Sequence, residues 1–228
     1  MAIHTILRRL LIALLATGWM SLAPANAEHE DICSPFRDGN VDEALVNDML
    51  EAADNGYLYR IKQDTSQVGF CVSSGWTQVK GEFHEFSGGL ALVPETKDTA
   101  PAEQAMVSIR AASLHTRSSA VEDLIKGEIF FDVENYPEIL FVSNGFEWTA
   151  SDTARIFGDL TIRGVTRPVV FDVTLTPLDE QGNATVERML VKASTTINRS
   201  DFNMESMSML VNDAVTLCMS VEAVRYGG

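Results

Sequence analysis

The side chains that could do chemistry are few and scattered. The histidines are His4, His29, His84 and His115. A zinc or iron centre would want an HxH or HExxH spacing, which sets two imidazoles on one strand face or one helical face. Neither spacing occurs, so a metal site would have to be assembled from distant strands. Glu82, His84 and Glu85 bring carboxylates beside an imidazole, the raw material of acid–base work. They sit near a strand bend with alternating exposure, however, and read as a solvated face. The sequence contains no GxSxG elbow, P-loop or GxGxxG turn. No serine stands in a motif from which a Ser/His/Asp triad is built. The expectation is a protein that is not an enzyme, with no metal and no catalytic cofactor.

Three cysteines remain: Cys33, Cys71 and Cys218. Their spacing excludes a CxxC redox motif and a zinc knuckle. Cys71 alternates with Val68, Phe70 and Val72, and Cys218 lies opposite Leu217 and Met219. Both should therefore point away from the apolar face of their strands. In an oxidising compartment the expected arrangement is one disulfide from Cys33 to Cys71 or Cys218, stapling an N-terminal extension to the body. Three unpaired thiols is the alternative.

The elements that position these residues are strands. In Gly158 to Leu175, the residues Val169, Phe171, Val173 and Leu175 fall on one face, while Pro168, Val170, Asp172 and Thr174 fall on the other. On the incoming side Leu160 and Ile162 alternate with Asp159, Thr161 and Arg163. Gly164 between them can take the positive φ of a tight hairpin turn. The same period of two repeats from Tyr57 onward in about eight strands joined mostly by short turns, the number that closes a small barrel. The predicted fold is all-β, an up-and-down antiparallel barrel. Inward-facing sets are Val68, Phe70 and Val72; Phe83 and Phe86; Val107 and Ile109; Ile139 and Phe141; Leu160 and Ile162; Phe171 and Val173; Leu217, Met219 and Val221. Such an interior can be solid or can hold one small ligand.

Two helices interrupt the plan. One is predicted after an Asn40 cap, with Val41, Ala44, Leu45, Met49 and Ala52 as its stripe and Gly56 at its end, packing on the body as a lid or brace. The other lies in the long connection Ser113 to Glu138, with Ser119 and Glu122 as a capping box, Val121, Leu124 and Ile125 as its stripe, and Gly127 as its stop. With Phe130, Phe131 and Tyr136, that connection is expected to close one end of the barrel.

The chain has 228 residues, of which 46% are apolar, enough for a substantial core. Residues 1–27 read as a secretory signal peptide: Arg8 and Arg9, an apolar run from Leu10 to Leu22, and the cleavage site Ala25-Asn26-Ala27. An uncleaved anchor is the alternative. Nothing after the leader is apolar enough to span a membrane. The predicted division is leader 1–27, helical extension 28–56 and barrel 57–228. Removing two arginines and no acids takes the formal charge from −15 to −17. That surface excludes nucleic acid and disfavours anionic headgroups as partners. The oligomeric state is left open, a homodimer included.

The stretch Leu160-Thr161-Ile162-Arg163-Gly164-Val165-Thr166-Arg167-Pro168 resembles the signature of the YceI-like family, bacterial lipocalin-like barrels that bind polyisoprenoid lipids. Phe130-Phe131-Asp132-Val133, Tyr136-Pro137 and the strand Ile139-Leu140-Phe141 resemble its FFDV…YP segment and I-x-F strand. Val79 to Gly88 resembles its V-x-G-x-F…F-S-G hairpin, Ala112 to Thr116 its A-S-I-x-T, and Arg199 to Met204 its R-x-D-F-G-M, with Asn203 in place of the usual Gly. The family's D-x-x-H-S is here reduced to Ser66, and its R-D-x-H run to Val121-Glu122-Asp123-Leu124. The likeness runs from about Tyr59 to the C-terminus and leaves out the segment that carries Cys33. It implies a periplasmic or secreted carrier or reservoir whose tunnel holds a polyisoprenoid lipid or isoprenoid quinone. The residues expected to line that tunnel are Val68, Phe70, Val72, Phe83, Ile109, Phe141, Leu160, Ile162, Phe171 and Val173. The competing expectation is a filled barrel whose acidic surface or N-terminal helix docks a protein partner.

Overall fold

The structure is a computed structural model that describes residues 43–92, 103–179 and 187–226. The leader, the Asn40 cap, Val41 and Cys33 lie outside the described residues. Among the described residues the elements run α1 (Glu43–Asp54), β1 (Leu58–Ser74), β2 (Thr77–Phe83), β3 (Phe86–Ala91), β4 (Gln104–Arg110), β5 (Leu114–His115) and α2 (Ser119–Lys126). After α2 come β6 (Glu138–Trp148), β7 (Thr153–Ile162), β8 (Val165–Pro177), β9 (Arg188–Asn198) and β10 (Val211–Tyr226). Short 3₁₀ turns at Ala111–Ser113 and Arg199–Phe202 precede β5 and follow β9.

The strands form a closed eight-stranded antiparallel barrel. β2 and β3 are two halves of one bent stave, and β4 and β5 of another. β10 closes the sheet by pairing with β1 from Leu58↔Tyr226 to Ser74↔Val211. The long β1 reaches both halves of its neighbour because it bulges between Lys62 and Gln67. Ser66 pins that bulge: its hydroxyl donates to the Lys62 carbonyl at 2.6 Å and accepts the Glu222 N–H at 3.0 Å. A second irregularity falls in β6 between Ser143 and Gly145.

Local chemistry accounts for the turns. At β7–β8, Arg163 (φ 52) and Gly164 (φ 69) are both left-handed, the two-residue turn whose twist suits a hairpin. A Cβ at Gly164 would sit 2.8 Å from the Tyr136 ring, so the turn also needs glycine for contact. Arg163 ties the turn down by donating to the carbonyls of Asn203 (2.7 Å) and Glu128 (2.6 Å). Asn203 occupies the left-handed region (φ 59), which asparagine tolerates better than most residues.

The helices depart in detail from the sequence reading. On α1, Leu45, Met49, Ala52 and Ala53 are buried, and Ala44 is exposed. These side chains pack with Leu58, Ala91 and Met106 on the outer face of the sheet, so α1 is a brace outside the barrel. Gly56 (φ 70) ends it as expected. For α2 the N-cap is Ser118, with no side-chain cap bond, and Ser119 lies inside the helix. Glu122 instead accepts the Thr116 N–H at 3.0 Å and pairs with Lys126 at 2.8 Å. Gly127 does terminate α2, but in an extended conformation (φ −71).

Candidate functional site

The staves turn their apolar faces onto a cavity of about 380 Å³. It lies within the size range of small-molecule sites. Val68, Phe70, Val72, Phe83, Ile109, Phe141, Leu160, Ile162, Phe171 and Val173 all lie around it. The reason is register. Val68↔Phe83, Phe70↔Leu217 and Ile109↔Ile139 are cross-strand partners, so one period of two propagates around the wall. Ile109 and Phe171 point inward and pack against the core, yet are only half-buried, because part of each faces the void.

Aromatic rings shape the lumen. Phe141 lies over Gly158, where a Cβ would come within 2.6 Å of the ring, and meets Phe171 edge-on at 5.1 Å. Phe70, Phe83 and Phe131 form a triangle with centroids 5.9 to 6.2 Å apart. Phe131 comes from the long connection, as do Phe130 and the α2 residues Val121, Leu124 and Ile125, which also line the cavity. Strand alternation alone does not find these. The helical stripe of α2 was their sequence signal, and it points into the barrel end.

One charged side chain lines the cavity among the described residues, Arg199. It is 4% exposed. Its guanidinium donates to the carbonyls of Asn212 (3.0 Å), Ser206 (2.8 Å), Val211 (3.0 Å) and Met204, and lies 5.9 Å from the centre of the Phe130 ring. Those acceptors offset the cost of burying the charge and lock the segment between Phe202 and β10. Tyr59, also on the wall, has its phenol pushed up by burial.

The dispersed polar candidates meet in two places, the histidines off the lumen and the cysteines on the outer side of the wall, where Cys218 also borders the cavity. His84 and His115 do not stand alone: their rings stack at 4.3 Å with an interplanar angle of 11°. The register Glu82↔His115 and Phe83↔Leu114 brings them together, a long-range pairing invisible to spacing. His115 Nδ1 lies 3.0 Å from the Ser113 carbonyl, which can only accept, so the proton sits on that nitrogen. In stacked rings the in-plane lone pairs run side by side and do not converge on one ion. No group of three potential metal ligands occurs among the described residues.

Cys71 and Cys218 form the second place. Among the described residues neither is in a disulfide. Cys71 stands opposite Thr216 and Cys218 opposite Gly69, so the two are diagonal neighbours on the outer face. Burial first, then the adjacent Cys71 thiol, push the Cys218 thiol up. No helix among the described residues is long and apolar enough to cross a membrane.

Comparison with known proteins bears on the whole barrel. The YceI-like domain model matches residues 59–223. A UPF0312 protein of Pseudomonas putida (strain W619) is 34% identical over 155 residues, covering 66% of this chain and 76% of that protein. BcnA of Burkholderia cenocepacia superposes with a TM-score of 0.62 at 24% identity, over 72% of this chain and 99% of that one. The YceI protein of Campylobacter jejuni gives a TM-score of 0.56 at 23% identity, over 67% and 87%. A polyisoprenoid binding domain from Saccharophagus degradans, implicated in plant cell wall breakdown, gives 0.55 at 13% identity, over 73% and 98%. At these identities the likeness to solved structures bears on the fold alone.

Proposed function

The chain belongs to the YceI-like family, and from that premise we propose that it is an exported binding protein, not an enzyme, holding one polyisoprenoid lipid or isoprenoid quinone in the barrel cavity as a carrier or reservoir. The observation that carries this reading is the wall itself. Every stave contributes hydrocarbon, and the single charged lining residue among those described is already engaged by four carbonyls. Such a wall offers little to a polar substrate and much to an alkyl or prenyl chain, at about 0.8 kcal/mol for each CH₂ taken out of water. The fold shared with the polyisoprenoid binding domain of Saccharophagus degradans is consistent with it. Residues 1–27, read as a leader, would deliver the protein to the periplasm or outside the cell. A disulfide from Cys33 to Cys71 or Cys218 belongs to the same proposal.

The test is organic extraction of the purified exported protein followed by mass spectrometry. A prenyl lipid or quinone in roughly stoichiometric amount is the expected result. Protein that is lipid-free, and that takes up no prenyl lipid from solution, would remove the carrier reading.

A further inference from the structure

The cavity opens among apolar side chains that the lumen itself does not use. Trp76, at the tip of the β1–β2 turn, is 104% exposed. Met209 is 98% exposed and Leu210 60%, on the segment that enters β10. These tips form one patch: the Gly75 N–H and the Ser74 hydroxyl both donate to the Leu210 carbonyl at 3.1 Å. Arg199 holds the same segment from beneath through Ser206, Val211 and Asn212, so the exposed side chains stand on a braced frame. The patch continues into the lumen. Met207 and, on α2, Leu124 line the cavity while remaining 40% and 39% exposed.

Bare apolar side chains clustered at an opening mark a surface that something covers. A second copy or another folded protein would require about 800 Å² per partner, roughly twenty to thirty residues. Trp76, Met209 and Leu210, even with Met207 and Leu124 added, are five side chains and fall well short of that. A bilayer sets no such requirement, because each side chain inserts on its own and indole favours the headgroup level. The net charge of −15, with exposed Asp123 and Glu205 on the elements that carry Leu124 and Met207, rules against attraction to anionic headgroups. The contact is therefore apolar insertion. We propose that Trp76, Met209 and Leu210 dock the protein on a phospholipid bilayer with the cavity mouth turned toward the hydrocarbon, so that a water-insoluble chain passes between membrane and lumen without crossing water. This rests on the reading of the cavity as a lipid site and adds to it the surface through which it fills.

Trp76 reports on its own docking. Apart from Trp19 in the leader, the tryptophans are Trp76 and Trp148. In exported Trp148→Phe protein, phosphatidylcholine vesicles should shift the Trp76 emission to the blue, and the protein should float with the vesicles. Met209→Ser with Leu210→Ser should weaken vesicle binding about tenfold or more while leaving the melting temperature in place. Unchanged emission with vesicles would overturn docking, as would a double variant that floats like the parent. A blue shift that grows with protein concentration in the absence of vesicles would assign the patch to a second copy. Extractable lipid is read separately. Vesicle binding by protein that never holds lipid supports docking and removes the carrier reading, whereas lipid-loaded protein that ignores vesicles removes docking alone.

Discussion

The barrel wall has two apolar faces that end differently. On the outer face, α1 presses Met49 and Ala52 onto Leu58, Ala91 and Met106, and the last three are each 1% exposed. On the inner face, Val107, Ile109, Phe171, Leu217 and Met219 pack against the core yet stay half-buried beside a void. The same strands supply both. Small residues make the difference outside: Ala52, Ala53, Ala91 and Gly89 let a helix approach the sheet closely, and a Cβ at Gly89 would already lie 3.1 Å from Leu58. Inside, a ring of eight staves carrying medium and aromatic side chains does not meet at the axis. The solid face holds the fold, and the hollow face is free to bind.

The sharpest way to break this comparison is a carboxylate in each face. Met106→Asp places an unpaired charge in a dry layer with no route to water, at a cost of several kcal/mol even after its pKa adjusts. The expected outcome is loss of soluble folded protein. The milder Met106→Ala should cost about 2–5 kcal/mol, measured by denaturant unfolding. Recovery of Met106→Asp with a parental melting temperature would show that α1 does not seal that layer.

Phe171→Asp should do less to the fold and more to the ligand. Phe171 borders the void, so water that enters an empty lumen can hydrate the carboxylate. The protein should remain folded, with a drop in melting temperature smaller than Met106→Ala causes, while extractable lipid falls to background. Retained lipid would show that Phe171 does not contact the chain. Failure to fold would mean that the inner face behaves as a solid core.

Much of this contrast was legible in the sequence. The ten residues that period-two alternation turns inward border the cavity, because a closed antiparallel sheet forces every inward side chain toward one axis, and their contact with a lipid belongs to the proposal. The positive φ at Gly164 was legible, whereas the left-handed Arg163 before it (φ 52) was not. Alternation states which face a side chain takes but not how much room the opposite wall leaves, so the void itself was not legible. The stripe of α2 was readable as a helix, but its contribution to the lumen depends on where a long connection folds back. The His84–His115 stack and the outward burial of Ala53 instead of Ala44 depend on pairings distant in sequence.

The smallest effect concerns a part of the outer face that α1 does not cover, where Cys71 and Cys218 sit diagonally across β1 and β10. If Cys33 is bonded to one of them, alkylation without reductant should add a single group per chain, read by intact mass. In Cys33→Ser protein both thiols are then open to study. Burial and the neighbouring Cys71 thiol raise the Cys218 pKa above that of an ordinary cysteine, so at neutral pH less of Cys218 is thiolate, the reactive form. Its alkylation rate should follow a pH profile displaced upward from that of a free cysteine. Cys71→Ala removes the second cause and leaves the first. The profile should therefore move partway back toward the ordinary value, giving faster labelling of Cys218 at neutral pH with no change in bound lipid. An unmoved profile would mean that burial alone sets the shift and that the two thiols do not communicate. A change in bound lipid would connect the outer face to the lumen and break the separation between the two faces.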